Sequence, residues 1–417
     1  MNAPRKPLMP LDDALQQLLA HVQPLLEVES LATLEADGRV LAQDLVSALQ
    51  VPAFDNSSMD GYAVRWADVQ QAPVVLKVTQ RIAAGQSGSV LGEGQAARIF
   101  TGAPLPPGAD TVVMQEDTQP SELAQDQVRI MRAPSQGEWV RLSGEDVRKG
   151  AVALAAGTRL TPAELGLAAS LGVAYVSVVR KPRVALFSTG DELVMPGEVA
   201  PDQMRPGAIY NSNRFFLRAL LQRMGCEVSD LGIVPDKREA TMAALKSAAD
   251  HHDLILTSGG VSVGEEDHVK PSVQALGALD LWQISMKPGK PFAYGHVRRS
   301  HGADTAHFIG LPGNPVSSFM TFVLLVQPFL RQLTGQAQQA LNPIRMPAHF
   351  SIAKADRRRE FVRVRRNAQG GLDLFPNQSS GVLTSVVWGD GVVDIPAGQT
   401  VTAGDMVDYL PFAGWLA

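Results

Sequence analysis

The chain has 417 residues, of which 45% are apolar and 19% are charged, and its formal net charge is −5. This length exceeds what one hydrophobic core can organise and predicts roughly two to four domains. The acidic balance excludes a global basic field for nucleic acid, and the single cysteine, Cys226, excludes a disulfide framework and a cysteine-rich metal site.

The first predicted element is an amphipathic helix over residues 12–22, with Asp12 or Asp13 as its cap. The preceding segment contains basic residues but no apolar stretch, so it is not predicted to be a secretory signal. The longest apolar run, residues 319–330, is interrupted by Gln327 and Pro328 and is too short to span a bilayer. We therefore expect a soluble cytoplasmic protein without a membrane segment.

Between residues 33 and 152, short segments of alternating polarity, such as VVLKVTQRI, are separated by turns rich in Gly, Pro and Asp. This pattern is typical of small β-rich domains. The next predicted helix starts at Pro162, with Thr161 as its cap, and ends near Gly172.

From residue 183 onward, strands that are apolar throughout alternate with helices. The predicted strands are RVALFSTG, EVSDLGIV, DLILTSGG, LWQISMKPG and HFIGLPG, and the predicted helices cover SNRFFLRALLQRMG and residues 238–250, 269–276 and 316–330. Such alternation favours a mostly parallel, doubly wound α/β sheet with helices on both faces. Strand-like texture returns from residue 331 to the C terminus.

The predicted strand ends carry residues suited to an anionic ligand, and ligands of doubly wound sheets bind beyond the carboxyl ends of the strands. Glycines let a ligand approach the main chain, and backbone amides with neighbouring lysines suit phosphate. The candidate ligand-binding residues are Thr189, Gly190, Ser258, Gly259, Gly260, Lys287, Lys290, Pro312, Gly313, Asn314 and Pro315.

Three acidic residues stand among these donors: Glu192, Asp236 and Asp267. They are candidate ligands of Mg²⁺, because this ion commonly joins one or two carboxylates to substrate phosphates. Any one of them alone is equally well explained as a helix cap or turn residue, and Gly259 with Gly260 as a tight turn. Five such strand ends along one edge favour a ligand site instead.

Three loops outside this region have unusual compositions: residues 54–64, 98–110 and 143–148. From the residues alone, loop architecture and chemistry both remain open for each of them. A fourth stretch is rich in arginine and, by strand alternation, has one face made of Arg357, Arg359, Phe361, Arg363 and Arg365. That face is interpreted either as a solvated surface or as a surface that attracts anions.

Seven stretches of the chain resemble, in order and spacing, the molybdopterin molybdenumtransferase family, which includes the C-terminal domain of gephyrin. They are DNSSMDGYAV, RIFTGAPLPPGAD, SGEDV, FSTGDEL, TSGGVSVGEEDHVK, MKPGKPFAYG and GLPGNPVSS. The resemblance runs from residue 8 or so to the C terminus.

The resemblance, with the changes of texture along the chain, predicts an α/β plus β multidomain fold. Its predicted parts are an α/β molybdopterin/nucleotide-binding domain, a small linking domain, an inserted β-rich domain and a C-terminal β domain. The predicted boundaries are, in that order, 1–26 with 181–330, 27–46 with 147–180, 47–146, and 331–417.

Proteins of this family insert molybdenum from molybdate into adenylated molybdopterin with Mg²⁺ and release AMP, so the resemblance implies this activity. The resemblance also implies a homodimer in which the inserted domain of one subunit faces the sheet domain of the other. The adenylyltransferase that supplies the substrate and the enzymes that accept the cofactor are the expected protein partners. Nucleic acid and membranes are not expected partners.

The resemblance also assigns site residues. It implies catalytic roles for Asp60, Thr101 and Asp146 together with the strand-end acids Glu192, Asp236 and Asp267, and it brings Arg359 and Ser380 near the family's anion site. Pro312 and Pro315 are expected to shape their loop. One departure is Gln283, where some relatives carry a basic residue.

Two alternative functions are considered. The first is the related molybdopterin adenylyltransferase reaction, for which the long flanking β domains would be unnecessary. The second is a non-catalytic peptide-binding scaffold of gephyrin type, which is not favoured because a dedicated scaffold would be expected to show a long linker or an extra domain.

Overall fold

The computed structural model describes residues 8–121, 124–260, 268–302 and 304–416. Residues 8–154 form one helix followed by short strands: α1 (Leu11–Ala20), β1 (Val28–Ala32), β2 (Leu45–Val46), β3 (Asn56–Ser57), β4 (Gly61–Val64), β5 (Val74–Ile82), β6 (Gln95–Ile99), β7 (Thr111–Met114), β8 (Thr118–Pro120), β9 (Gln127–Ile130), β10 (Val140–Arg141) and β11 (Val152–Leu154).

Residues 155–333 alternate between helices and strands: α2 (Pro162–Ser170), β12 (Tyr175–Val179), β13 (Arg183–Thr189), β14 (Leu193–Val194), β15 (Ile209–Tyr210), α3 (Asn213–Arg223), β16 (Glu227–Val234), α4 (Arg238–His251), β17 (Leu254–Ser258), α5 (Val269–Leu276), β18 (Gly277–Gln283), β19 (Met286–Lys287), β20 (Pro291–Arg298), β21 (Thr305–Leu311), α6 (Pro315–Thr321) and α7 (Gln327–Leu333). The remaining elements are β22 (Ile344–Pro347), β23 (Arg359–Arg366), β24 (Leu372–Leu374), α8 (Thr384–Trp388), β25 (Gly391–Ile395), β26 (Met406–Pro411) and α9 (Ala413–Leu416).

The central sheet has the strand order β16-β13-β17-β21-β20-β18, and its first three pairs are parallel. All of β17 and nearly all of β13 are buried, because helices cover both faces. One apolar cluster joins α1, α3 and the α6–α7 run to the sheet, and a second joins α4 and α5 to its other face. The predicted α/β architecture with a mostly parallel, doubly wound sheet is confirmed.

The edge of this sheet differs from the sequence-based expectation. Strand β20 was not predicted, and it pairs antiparallel with both β18 and β21. The connections at residues 284–290 and 299–304 are too short for the crossover that parallel neighbours require, so they form hairpins. Because β20 runs antiparallel to both neighbours, β18 and β21 run in the same direction. The two strands therefore end at the same edge of the sheet.

Helix α1 also departs from the prediction at its start. It begins at Leu11 with Pro10 as the N-cap residue, and Asp12 and Asp13 lie in the first turn instead of capping it. Proline suits the extended residue before a helix, and the two acids interact favourably with the helix dipole. Helix α2 starts as predicted, with a capping box between Thr161 and Glu164.

Helices α6 and α7 form one continuous run through a π-helical segment, Phe322–Val326. Pro328 cannot donate to the carbonyl four residues earlier, and a local change to wider hydrogen bonding accommodates that loss. Within the described residues, Pro315–Leu333 is the one helical run whose length and composition would suit a membrane span, and 83% of that window is buried inside the protein. The run is the core helix of the central sheet, and it is longer than the apolar segment identified in the sequence.

The β-rich part of residues 47–146 is built on a sheet of order β7-β4-β6-β5-β9-β8, with an apolar cluster on each face. The chain enters and leaves this unit side by side, because Ser47 N–H donates to Ala151 O at 2.9 Å. Two small pairings, β1 with β12 and β2 with β11, lie beside α2. No hydrogen bond or ion pair between described residues joins the inserted unit to residues 181–330.

A buried ion pair fastens strand β12 to the start of β17. Both terminal nitrogens of Arg180 donate to the Asp253 carboxylate, at 2.6 and 2.8 Å, and the Arg183 N–H adds a third bond at 2.8 Å. Hydrogen bonds from Arg180 and from the Arg183 N–H hold the pKa of Asp253 below its usual value, although burial opposes ionisation.

The C-terminal sheet has the order β19-β23-β25-β26-β22, with β24 paired to β23. Strand β19 comes from the loop that leaves the central sheet after β18, and its Lys287 pairs with Glu360 of β23. This loop therefore connects the central sheet to the C-terminal sheet.

Candidate active site at the edge of the central sheet

The carboxyl ends of β13, β16, β17, β18 and β21 meet at one edge of the central sheet. Glycines bring the first two loops close together. Gly259 has φ +93°, and a Cβ atom there would lie 2.8 Å from the Thr189 carbonyl oxygen; at Gly260 it would lie 2.9 Å from Thr189 Oγ1. Any other residue would push the ends of β13 and β17 apart.

A buried asparagine joins two more of these loops. The side-chain nitrogen of Asn213 donates to Ser258 Oγ and to the Gly313 carbonyl oxygen, both at 2.7 Å. Ser258 ends β17, and Gly313 follows β21. The sequence assigned Asn213 only to the start of a helix, because its partners lie 45 and 100 positions away along the chain.

The predicted metal ligands are distributed over neighbouring strand ends. Glu192 follows β13, with its carboxylate against the Gly190 backbone, and Asp236 follows β16, the parallel neighbour of β13. Asp267 and the rest of residues 261–267 lie outside the described residues. Among the side chains that the structure describes, no three Asp, Glu, His or Cys groups converge as a preformed metal cluster.

The two predicted lysines differ in their surroundings. Lys287 Nζ lies 2.6 Å from Glu360 and 3.5 Å from Asp356, so acids of the C-terminal sheet compensate its charge. Lys290 is exposed and forms no ion pair with a described residue. Of the two, Lys290 is the cation available at this edge.

The loop after β21 contacts the C-terminal region. Pro312 is buried, whereas Gly313 and Asn314 are exposed ahead of Pro315, the first residue of α6. The N–H of Val316 donates to the Ser380 carbonyl oxygen at 2.9 Å, which brings the predicted residue Ser380 to the same loop.

Asp60 and Thr101 are brought together in the inserted unit. One Asp60 carboxylate oxygen accepts hydrogen bonds from the Thr101 N–H at 2.8 Å and from Thr101 Oγ1 at 2.9 Å. These bonds, and more weakly the charge of Arg98, lower the pKa of Asp60. Asp146 is exposed at the base of the unit, where its N–H donates to Val51 O, and it contacts neither residue of the pair by a hydrogen bond.

Family models match three successive parts of the chain. They are described as the MoeA N-terminal region (domain I and II), matching residues 9–172, a probable molybdopterin binding domain, matching 185–332, and the MoeA C-terminal region (domain IV), matching 345–412. A molybdopterin molybdenumtransferase from Haemophilus influenzae is 37% identical over 97% of this chain and 99% of its own length.

The chain belongs to the molybdopterin molybdenumtransferase family.

A second relative with the name molybdopterin molybdenumtransferase, from a Nostoc species, is 38% identical over 88% of this chain and 84% of its own. The crystal structure of a molybdopterin biosynthesis moeA protein from Pyrococcus horikoshii superimposes with a TM-score of 0.81 at 28% identity, over 97% of this chain and 100% of that one. The resemblance inferred from the seven sequence stretches, and with it the enzyme class, is confirmed.

Two arginines of β23, Arg359 and Arg363, differ in how their charge is compensated. The guanidinium of Arg359 contacts Asp394 at 2.6 and 2.8 Å and Asp12 at 3.1 Å, so its charge is compensated within the chain. These carboxylates raise the pKa of Arg359 further above its already high value. The assignment of Arg359 to an anion site remains a prediction.

Arg363 contradicts the interpretation of this face as a solvated surface, because this residue is only 1% exposed. Its guanidinium donates to Ser385 Oγ at 3.0 Å and to the carbonyl oxygens of Phe361 and Ser379, and burial lowers its pKa to about 10. Phe361 on the same face packs into the core of the central sheet, which explains the burial. A buried cation without a carboxylate partner within 4 Å in the described chain thus adjoins Ser380.

Proposed function

We propose that this chain transfers molybdenum from molybdate to adenylated molybdopterin and releases AMP. Family membership supports the reaction class. The observation that carries the proposal is the shared edge of β13, β16, β17, β18 and β21, where glycine loops, Lys290 and acidic residues lie together. Such an edge suits a ligand that has both a nucleotide and several phosphate oxygens.

Mg²⁺ is proposed as the cofactor at this edge. Glu192 and Asp236 offer hard oxygen ligands on adjacent strand ends, and Mg²⁺ typically completes its coordination with water and substrate phosphates instead of a full protein cage. The absence of a three-residue cluster among the described side chains is compatible with such a shared site. When bound, the ion would supply Lewis-acid stabilisation of the phosphoanhydride as it breaks.

Molybdate, the second substrate, is a small dianion and needs cationic or neutral donors. We assign its site to the region between Ser380 and the α6 loop, because the buried Arg363 guanidinium donates to the neighbouring Ser379 carbonyl and has no carboxylate within 4 Å in the described chain. A bound oxyanion would compensate a charge whose burial is otherwise unfavourable. Pro312 and Pro315 stiffen the same loop.

Asp60 and Thr101 are proposed to act on the substrate from a second subunit, with Asp146 at the base of the same unit. They lie in the inserted unit, which makes no hydrogen bond or ion pair with described residues of the central α/β region. A homodimer in which this unit faces the partner's sheet edge would bring them to the substrate. Cytoplasmic location, an adenylyltransferase as supplier and cofactor-accepting enzymes as recipients complete the proposal.

The decisive experiment incubates the purified protein with adenylated molybdopterin, Mg²⁺ and increasing molybdate, and measures released AMP together with activation of a cofactor-free molybdoenzyme. We expect AMP release that requires both molybdate and Mg²⁺. No AMP release at any molybdate concentration would refute the proposal in favour of a binding scaffold. Rapid adenylation of molybdopterin from ATP by this chain alone would identify it as an adenylyltransferase.

A further inference from the structure

Asn213 is buried where three segments of the central region meet, and it is 7% exposed. It is the first residue of α3, and its amide nitrogen has two hydrogens, each directed at a different loop. The acceptors are Ser258 Oγ at the end of β17 and the Gly313 carbonyl oxygen after β21, both at 2.7 Å. Asn213 therefore occupies one acceptor in each of two loops that line the sheet edge.

We propose that Asn213 is a positioning residue that orients these two loops so that they present hydrogen-bond donors, and not acceptors, to a phosphate oxyanion. The assignment of that oxyanion to the adenylated substrate rests on the proposed function. The orientation itself follows from the geometry of two groups, the Gly313–Asn314 peptide and the Ser258 hydroxyl.

The Gly313–Asn314 peptide bond is trans, and in a planar trans peptide the carbonyl and the following N–H point in opposite directions. Because Asn213 holds the Gly313 carbonyl on the protein side, the Asn314 N–H points away from it. Gly313 and Asn314 are exposed, and the side of Gly313 where a Cβ would stand has no atom within 4 Å. The Asn314 N–H has no acceptor among the described residues, so it is available to a ligand.

The Ser258 hydroxyl is oriented in the same way. A hydroxyl has one donor and two acceptor lone pairs, and Asn213 occupies an acceptor position of Ser258. The proton must then point away from Asn213, and no described residue accepts it. Ser258 is itself only 3% exposed, and the half-exposed Gly259 and Gly260 that follow it are the part of this loop that solvent reaches.

An amide is required at this position because its nitrogen only donates. The substitution Asn213→Asp keeps the shape of the side chain but replaces the donating nitrogen with an oxygen that can only accept. The introduced carboxylate would accept the Ser258 proton and repel the Gly313 carbonyl, which favours rotation of the peptide. Both donors would be withdrawn from the ligand side.

The test compares the binding of AMP and of adenosine, each with Mg²⁺, to the intact protein by isothermal titration calorimetry. The two probes differ in the phosphate alone. We expect Asn213→Asp to weaken AMP binding by about tenfold or more, as for one lost hydrogen bond to a charged group, and to leave adenosine binding within about twofold. Asn213→Ala, which removes the tethers without adding a charge, should weaken AMP binding by less.

Asn56→Asp is the matched control, since Asn56 is also buried and donates to a main-chain carbonyl, that of Phe54, at 3.2 Å. It should leave the ratio of AMP to adenosine affinity unchanged. A purely structural role for Asn213 predicts equal loss for both probes with a lowered melting temperature, and this result would overturn the inference. The inference would also be overturned if the wild-type protein did not prefer AMP to adenosine, or if both Asn213 variants kept that preference.

Failure of the proposed function is a separate outcome. If the wild type prefers AMP and Asn213→Asp removes that preference, the inference holds even when the transfer assay yields no molybdenum-dependent AMP release.

Discussion

Replacing Arg363 with methionine should weaken molybdate binding while leaving the free energy of unfolding nearly unchanged. The guanidinium is almost completely buried, it has no carboxylate partner within 4 Å in the described chain, and it donates to Ser385 Oγ at 3.0 Å, to Phe361 O at 3.2 Å and to Ser379 O at 3.4 Å. Methionine fills much of the same volume without charge. The substitution therefore removes three hydrogen bonds of 3.0–3.4 Å together with a buried cation that has no ion-pair partner in the described chain.

The two effects on stability have similar size. Burial that lowers the pKa of Arg363 from its ordinary value to about 10 corresponds to a penalty of about 3 kcal/mol for the charged form. Three hydrogen bonds contribute about 1 kcal/mol each, and less at the longest distance. We expect the free energy of unfolding to change by less than about 1 kcal/mol, because the lost bonds offset the relieved charge.

Molybdate binding at the proposed site, in contrast, would lose this cation with no gain to offset the loss. Losing a charge-assisted hydrogen bond of about 1.5–3 kcal/mol should raise the molybdate concentration for half-maximal AMP release by roughly 10–100-fold. Urea unfolding and a molybdate titration measure the two quantities. Arg365→Met is the control, since Arg365 is exposed on the same strand and its guanidinium lies 4.5 Å from the Trp388 ring centre. An unchanged molybdate requirement, or a stability loss above about 3 kcal/mol, would refute the reasoning.

Three further outcomes are expected. Asp253→Asn should lower the free energy of unfolding by about 3 kcal/mol at pH 7, because it breaks the buried pair with Arg180. The pKa of Asp253 is lowered in the folded protein, so the stabilisation by its carboxylate is present above about pH 4 and is lost on acidification. The difference in unfolding free energy between wild type and Asp253→Asn, measured by urea unfolding, should therefore shrink at low pH. A difference that stays constant with pH would contradict this. Thr101→Val keeps the main-chain bond to Asp60 but removes the 2.9 Å side-chain bond, so AMP release should fall by about tenfold. The melting temperature of the protein should not change, because the pair is exposed; a loss of AMP release together with a lower melting temperature would indicate a structural role. Glu192→Gln should raise the Mg²⁺ concentration for half-maximal AMP release by about tenfold, and an unaltered Mg²⁺ titration would exclude Glu192 as a ligand.

Features that depend on neighbouring residues in the chain were predictable from sequence. The buried strands β13 and β17 are apolar throughout, and the Thr161 cap of α2 depends on residues within one helical turn. The glycine and proline content of the sheet-edge loops was also readable locally, whereas the direction in which β18 reaches this edge depends on its pairing with β20.

Features that depend on partners distant along the chain could not be predicted from sequence. The pattern of β23 correctly assigned Arg363 to the same face as Phe361, but it does not reveal that the core of the central sheet covers this face. Asn213 has the local appearance of a helix start, whereas its contacts span 45 and 100 positions. Strand β20 was missed because Pro291 and Gly295 weaken its strand signal, while its pairing with two neighbours determines its structure.

The packing of α1 has a consequence for how the protein is made. Its apolar face is part of the same cluster as Leu325 and Leu330, and the Gln332 side chain donates to Leu19 O across a separation of 313 positions. At roughly 5–20 residues per second, a ribosome needs on the order of 15–60 s after α1 has been synthesised to reach Gln332 at the end of the α6–α7 run. During that interval the native partners of Leu11, Ala14 and Leu18 in the α6–α7 run have not yet been synthesised, so α1 can dock only after the last helix of the central region has been made.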